Sequence, residues 1–136
     1  MPKILIVDDE ERIVNVLCEY AEFNKIDYDT ANDGFDAVEK VMENNYDCIL
    51  MDIMMPNMNG EKCIEELKKI EGFNTPVIAL TADALNGAKE KYISEGFIDY
   101  IAKPFSKDQI KEKLENILKD KVIVKIPEKK LKNILN

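Results

Sequence analysis

The chain has 136 residues, 46% hydrophobic and 34% charged, the length and balance of one compact domain with its own core. A net charge of −8 argues against a nucleic-acid-binding module, and no apolar run is long enough for a membrane span or a signal peptide's apolar region. No histidine occurs anywhere, which excludes histidine bases, histidine metal ligands and a phosphohistidine on this chain.

The elements read off in chain order. Ile4–Val7 (ILIV) is a continuously apolar first strand, and Asp8 and Asp9 follow it directly. Ile13, Leu17, Tyr20 and Ala21 recur at helical spacing. Tyr28–Ala31 is a second, more polar strand, and Phe35, Val38, Val41 and Met42 make a second helical stripe. Cys48–Met51 (CILM) is the third strand. Asp52 comes straight after it, and then Pro56, Asn57 and Gly60 mark a loop. A third stripe is Ile64, Leu67 and Ile70. The fourth strand is Val77–Leu80 with Thr81 behind it, and Leu85, Ala88 and Tyr92 give a weaker fourth stripe. Asp99–Ala102 is the fifth strand, followed by Lys103 and Pro104, and Ile110, Leu114, Ile117 and Leu118 form the clearest stripe. Residues 121–136 break the alternation, with five lysines against one glutamate. A domain over residues 1–120 and a solvated tail or linker over 121–136 is therefore the expected organisation.

Five strands alternating with five helices imply an α/β fold: a doubly wound, five-stranded parallel sheet with helices on both faces. ILIV, CILM and VIAL suit inner strands buried on both sides, whereas YDTA and DYIA suit edges. The order 2-1-3-4-5, flavodoxin-like, satisfies both constraints. Right-handed crossovers then bring every strand's carboxyl end to one rim.

That rim is where the chemistry collects. Asp8, Asp9 and Asp52 meet in the crevice between the first and third strands, where ligands bind in such sheets. Three carboxylates in one crevice repel unless a cation compensates, and a hard divalent ion with oxygen ligands, Mg²⁺ above all, is the physical solution. Capping of the first helix accounts in part for Asp8–Asp9–Glu10–Glu11, but not for Asp52 on another strand. Thr81 and Lys103 add a hydroxyl and an ammonium, completing a phosphoryl-transfer constellation. Asp52 is its nucleophile, able to carry a phosphoryl group as an acyl phosphate.

With ILIVDDEE, ILMDIMMPNMNGEKCIEELK, PVIALTADAL and GFIDYIAKPF in order, the sequence resembles the receiver domain of bacterial two-component response regulators from Lys3 to about Leu118. The resemblance implies a CheY-like (βα)5 fold. It casts Asp52 as the phosphoacceptor, Asp8, Asp9 and Asp52 as Mg²⁺ ligands with the backbone carbonyl of Met54, Thr81 and Lys103 as the hydroxyl and lysine of the site, and Tyr100 as the switch aromatic. It also implies a cis Lys103–Pro104 peptide and a cytoplasmic setting. The implied partner is a sensor histidine kinase or a histidine phosphotransfer protein, since the phosphodonor histidine must lie elsewhere. Docking of partners or a second copy is expected on the fourth helix, fifth strand and fifth helix. The wording ALTADAL with DYIAKPF is similar to receivers fused to hybrid sensor kinases.

Three rivals are weaker. A haloacid-dehalogenase-type phosphatase carries a second Asp two residues after its nucleophile, where this chain has Met54. A flavin-binding module needs a hydroxyl- and glycine-rich loop where this chain has VDDEE. A purely protein-binding pseudo-receiver lacks a required group, and here every group is present. Cys18, Cys48 and Cys63, odd in number and widely spaced, fit reduced, buried cysteines of a cytosolic protein better than disulfides or a zinc site.

Overall fold

The computed structural model describes residues 2–125. Its strands are β1 (Lys3–Val7), β2 (Asp27–Ala31), β3 (Cys48–Asp52), β4 (Val77–Thr81) and β5 (Asp99–Ala102). Its helices are α1 (Glu11–Phe23), α2 (Gly34–Glu43), α3 (Gly60–Lys68), α4 (Ala88–Glu95) and α5 (Lys107–Lys125). All pairings are parallel, in the order β2-β1-β3-β4-β5. The expected fold class and strand order hold, with the polar strands β2 and β5 at the edges. Asp52 and Thr81 are themselves the last residues of β3 and β4 rather than the first residues beyond them.

Side chains alternate across the sheet, so each inner strand feeds two cores. Leu5, Val7, Ile49, Met51, Val77 and Ala79 lie on one face with Ala37, Cys63, Ile64, Leu67 and Tyr92 of α2, α3 and α4. Ile4, Ile6, Cys48, Leu50, Ile78 and Leu80 lie on the other with Leu17, Tyr20, Ala21, Ile110, Leu114 and Leu118 of α1 and α5. Each fully buried aliphatic side chain stabilises by roughly 1.5–3 kcal/mol, so the inner strands make a rigid mount for what stands at their ends.

Local chemistry starts the helices. The Asp33 side chain accepts from the Asp36 N–H to cap α2, and Asn59 accepts from the Lys62 N–H to cap α3. Ser106 and Gln109 exchange bonds as a capping box before α5, whose backbone runs past the boundary expected at residue 120; residues 126–136 of the expected tail lie outside the described residues. The acidic run before α1 does not cap it with a side chain: Glu10 occupies the cap position without such a bond.

Two stripe assignments need correction. In α2 the buried residues are Gly34 and Ala37, while Phe35 and Met42 point outward at 59% and 70% exposure. A Cβ on Gly34 would sit 2.7 Å from Met58, so α2 packs through its small residues and its large ones are left on the far side. Leu85 precedes α4 and is exposed.

Candidate functional site

Three of the predicted rim residues lock together. Lys103 Nζ donates to Asp8 Oδ2 and to Asp52 Oδ1, each at 3.1 Å. Asp8 and Asp52 are 1% and 4% exposed, while Asp9 stands at the surface. Carboxylate oxygens of Asp8, Asp9 and Asp52 lie within 4.8 Å of one another. Asp8 is pinned by the Glu10 N–H, which donates to its Oδ1 at 2.9 Å, and the Met54 N–H makes a longer 3.4 Å approach to Asp52 Oδ1. The Lys103–Pro104 peptide is cis, as the resemblance implies.

Backbone geometry holds Asp52 in place. Asp52 pairs with Leu80 of β4, the Ile53 N–H donates to the Leu80 carbonyl at 3.1 Å, and the Gly60 N–H returns to the Ile53 carbonyl at 2.9 Å. A Cβ at Gly60 would stand 2.5 Å from the Asp52 carbonyl oxygen, so only glycine lets the loop close this tightly behind the strand end.

The electrostatics are unbalanced by design of the residue set: two buried acids share one lysine. Burial first, then repulsion from Asp8, raises the Asp52 carboxyl from 3.8 to about 6, with Lys103 partly offsetting both. Burial alone would lower the Lys103 ammonium, but its bonds to Asp8 and Asp52 outweigh that and hold it above its ordinary value. A cluster of hard oxygen donors with excess negative charge fits Mg²⁺, whose preferred ligands are carboxylates, carbonyls and water.

Thr81 is placed differently. By strand alternation its side chain belongs to the face of Val77 and Ala79, opposite to the Ile4–Ile6 and Cys48–Leu50 face that Asp8 and Asp52 continue. Its hydroxyl lies 2.8 Å from Tyr92 Oη and accepts from the Asp83 N–H at 3.0 Å. Tyr100 is half-buried, and its ring lies 5.9 Å from that of Tyr92. Sequence reasoning missed Tyr92, which it read as one more apolar stripe residue. The available signal was that a buried tyrosine needs a partner for its hydroxyl. Met54, whose backbone N–H approaches Asp52, has a side chain that is 77% exposed.

The chain is similar to known proteins of this fold. The family model described as the response regulator receiver domain matches residues 4–115. The transcriptional regulatory protein SrrA of Staphylococcus aureus is 39% identical over 117 residues, covering 86% of this chain and 48% of that protein. The chain thus spans about half the length of the curated relatives it matches. Among solved structures, the receiver domain of the Francisella response regulator 1452 superposes with a TM-score of 0.82 at 36% identity, covering 89% of this chain and 99% of that one. The receiver domain of the sensor histidine kinase PA1611 of Pseudomonas aeruginosa, solved with a magnesium ion in its active-site cleft, gives a TM-score of 0.78 at 32% identity, with 86% and 97% covered.

Proposed function

Because this chain belongs to the response regulator receiver family, whose domains act in phosphorelay signalling, we propose that Asp52 is its phosphoacceptor. The observation that carries the reading is the buried Asp52 carboxylate, backed by Asp8 and Asp9 and bridged by Lys103 at 3.1 Å. An Asp52 oxygen attacks the phosphorus of a partner's phosphohistidine, the P–N bond breaks, and the imidazole nitrogen leaves with the electron pair. The product is an aspartyl phosphate. Lys103 stays beside the new dianion and neutralises one of its oxygens. Asp8, Asp9, Asp52 and the Met54 backbone carbonyl are the proposed holders of Mg²⁺, which when bound supplies the positive charge that lets an anionic donor approach.

The domain in this reading is a signalling acceptor that catalyses its own phosphorylation and dephosphorylation rather than a turnover enzyme. Its partner is a sensor histidine kinase or a histidine phosphotransfer protein. The likeness to a receiver that belongs to a sensor kinase supports this. Thr81 supplies a further donor to the phosphoryl group, and Tyr100 responds to its movement. The α4–β5–α5 surface, where Ile93 is 49% exposed, is then the face presented to partners or to a second copy. The proposed setting is the cytoplasm, which suits three cysteines that are all free; no helix among the described residues is long and apolar enough to cross a membrane.

Intact-mass spectrometry with a small phosphodonor such as acetyl phosphate tests the assignment. One phosphoryl group is expected on the wild type with Mg²⁺ and none on Asp52→Asn or in EDTA. Equal incorporation by wild type and Asp52→Asn would falsify it.

A further inference from the structure

The Thr81 hydroxyl is occupied on the side away from Asp52, and its partner is specific. Thr81 is 3% exposed and Tyr92 1% exposed, so no solvent replaces a bond lost between them. Thr81 Oγ1 accepts from the Asp83 N–H at 3.0 Å, and its approach to the Asp83 carbonyl, at 3.4 Å, is long. Tyr92 Oη has Thr81 as its one hydrogen-bond partner among the described residues, at 2.8 Å. Either hydroxyl can donate in this pair, and it is the one hydrogen bond that the buried phenol makes among the described residues. The Tyr92 ring cannot easily follow Thr81 if it leaves. Phe97 packs edge-on against it with centroids 5.9 Å apart, Tyr100 lies 5.9 Å away on another side, and Lys91 Nζ stands 5.3 Å from its centroid.

Resting on the phosphoacceptor reading above, we infer that Tyr92 is a positioning residue that latches Thr81 toward α4 and opposes its recruitment to a phosphoryl group on Asp52. Turning the Thr81 hydroxyl across the rim toward a phosphoryl group carries it away from Tyr92 Oη and breaks their bond, which strands a buried phenol without a partner. Such stranding disfavours the switched arrangement. The strength of this one bond therefore sets how readily the domain responds. The ring contact with Tyr100 gives the loss a route to β5: movement expected to pass directly from Thr81 to Tyr100 runs through a side chain of α4.

Tyr92→Phe keeps the ring and removes only the latch. With Mg²⁺ and the phosphoryl mimic beryllofluoride, it should bind the mimic about fivefold more tightly than wild type, the response expected for loss of one modest buried hydrogen bond. In a Thr81→Ala background the same substitution should change nothing, a result that a purely structural role for Tyr92 would not give. Tyrosine labelled at the phenolic ring carbon supplies a second measurement on the unmodified sequence, in which the Tyr92 resonance shifts when the mimic binds. Equal or weaker binding by Tyr92→Phe, a gain that persists without Thr81, or an unmoved Tyr92 resonance each overturns the latch. A wild type that never binds the mimic sinks the Asp52 reading and takes the latch with it. A wild type that binds it while Tyr92→Phe binds it equally sinks the latch alone.

Discussion

The mouth of the sheet has two halves that solve opposite problems. Where β1 and β3 end, Asp8 and Asp52 are buried acids that share the partly buried Lys103 from beyond β5, two acids to one base, and their bonds leave a surplus of negative charge. On the β4 side, Thr81, Asp83 and Tyr92 are neutral at the point of contact and satisfied by one another. The charged half is costly at rest and gains from an added cation and a transferable group. The neutral half is content at rest and must be taken apart to take part. In the proposed function, sensitivity to a phosphoryl group follows from setting the two side by side on adjacent strands, where Asp52 pairs with Leu80, the residue before Thr81.

The largest effect comes from removing the lone base. Lys103→Met leaves two buried carboxylates facing each other, and we expect a loss of about 2–4 kcal/mol in denaturant unfolding without metal. Millimolar Mg²⁺ should recover part of it, by binding only the folded protein. A variant as stable as wild type would mean that the charged half is not strained.

Removing one acid acts in the opposite direction. The Asp52 carboxyl is raised to about 6 in the fold from 3.8, so stability present below 3.8 is lost as pH rises through about 6. Asp52→Asn escapes that loss and leaves Lys103 paired with Asp8. It should be more stable than wild type at neutral pH by roughly 1–2 kcal/mol after allowance for solvent screening, and equally stable near pH 4. An Asp52→Asn protein less stable at neutral pH contradicts the picture.

Much of this was legible in the sequence because it depends on strand ends. Continuous apolar runs located β1, β3 and β4, and the residue that broke each run stands at the candidate site: Asp8, Asp52 and Thr81. What depends on the far partner of a side chain was not legible. Phe35 and Met42 fit a helical stripe, yet α2 closes on the core through Gly34 and Ala37, a choice set by the proximity of Met58. Tyr92 counted as apolar in the pattern, and its hydroxyl acquires meaning only once α4 lies over the end of β4.

Smaller effects sharpen the contrast further. Met54 is 77% exposed beside the charged half, where its side chain can shield an acyl phosphate from water. Met54→Asn should speed loss of phosphate severalfold, on the order of 1 kcal/mol in barrier, as followed by intact-mass decay. An unchanged decay would remove Met54 from the shielding role.

The smallest effect lies between α3 and α4, away from both halves. Glu95 Oε1 is buried with no hydrogen-bond partner among the described residues; burial first, then a bond between the Glu95 and Glu61 carboxyl groups, raises Glu95 from 4.5 to about 7, while Lys91 acts to lower it. Stability from this pair is present below 4.5 and is lost as pH rises through about 7. Wild type should therefore lose slightly more thermal stability than Glu95→Gln between about pH 5 and about pH 8. Parallel profiles for the two proteins would show that the pair does not titrate as a unit.

The division of the mouth is tested most directly by backbone amide NMR of the wild type, with Mg²⁺ added first and beryllofluoride second. Mg²⁺ alone should shift Asp8, Asp9, Asp52 and Met54 and leave Thr81, Asp83 and Tyr92 in place, because that half has no surplus charge to satisfy. Beryllofluoride should then move Thr81, Asp83, Tyr92 and Tyr100 together. Movement of the Thr81–Tyr92 half on Mg²⁺ alone, or its stillness when the phosphoryl mimic arrives, would contradict the separation of the two halves.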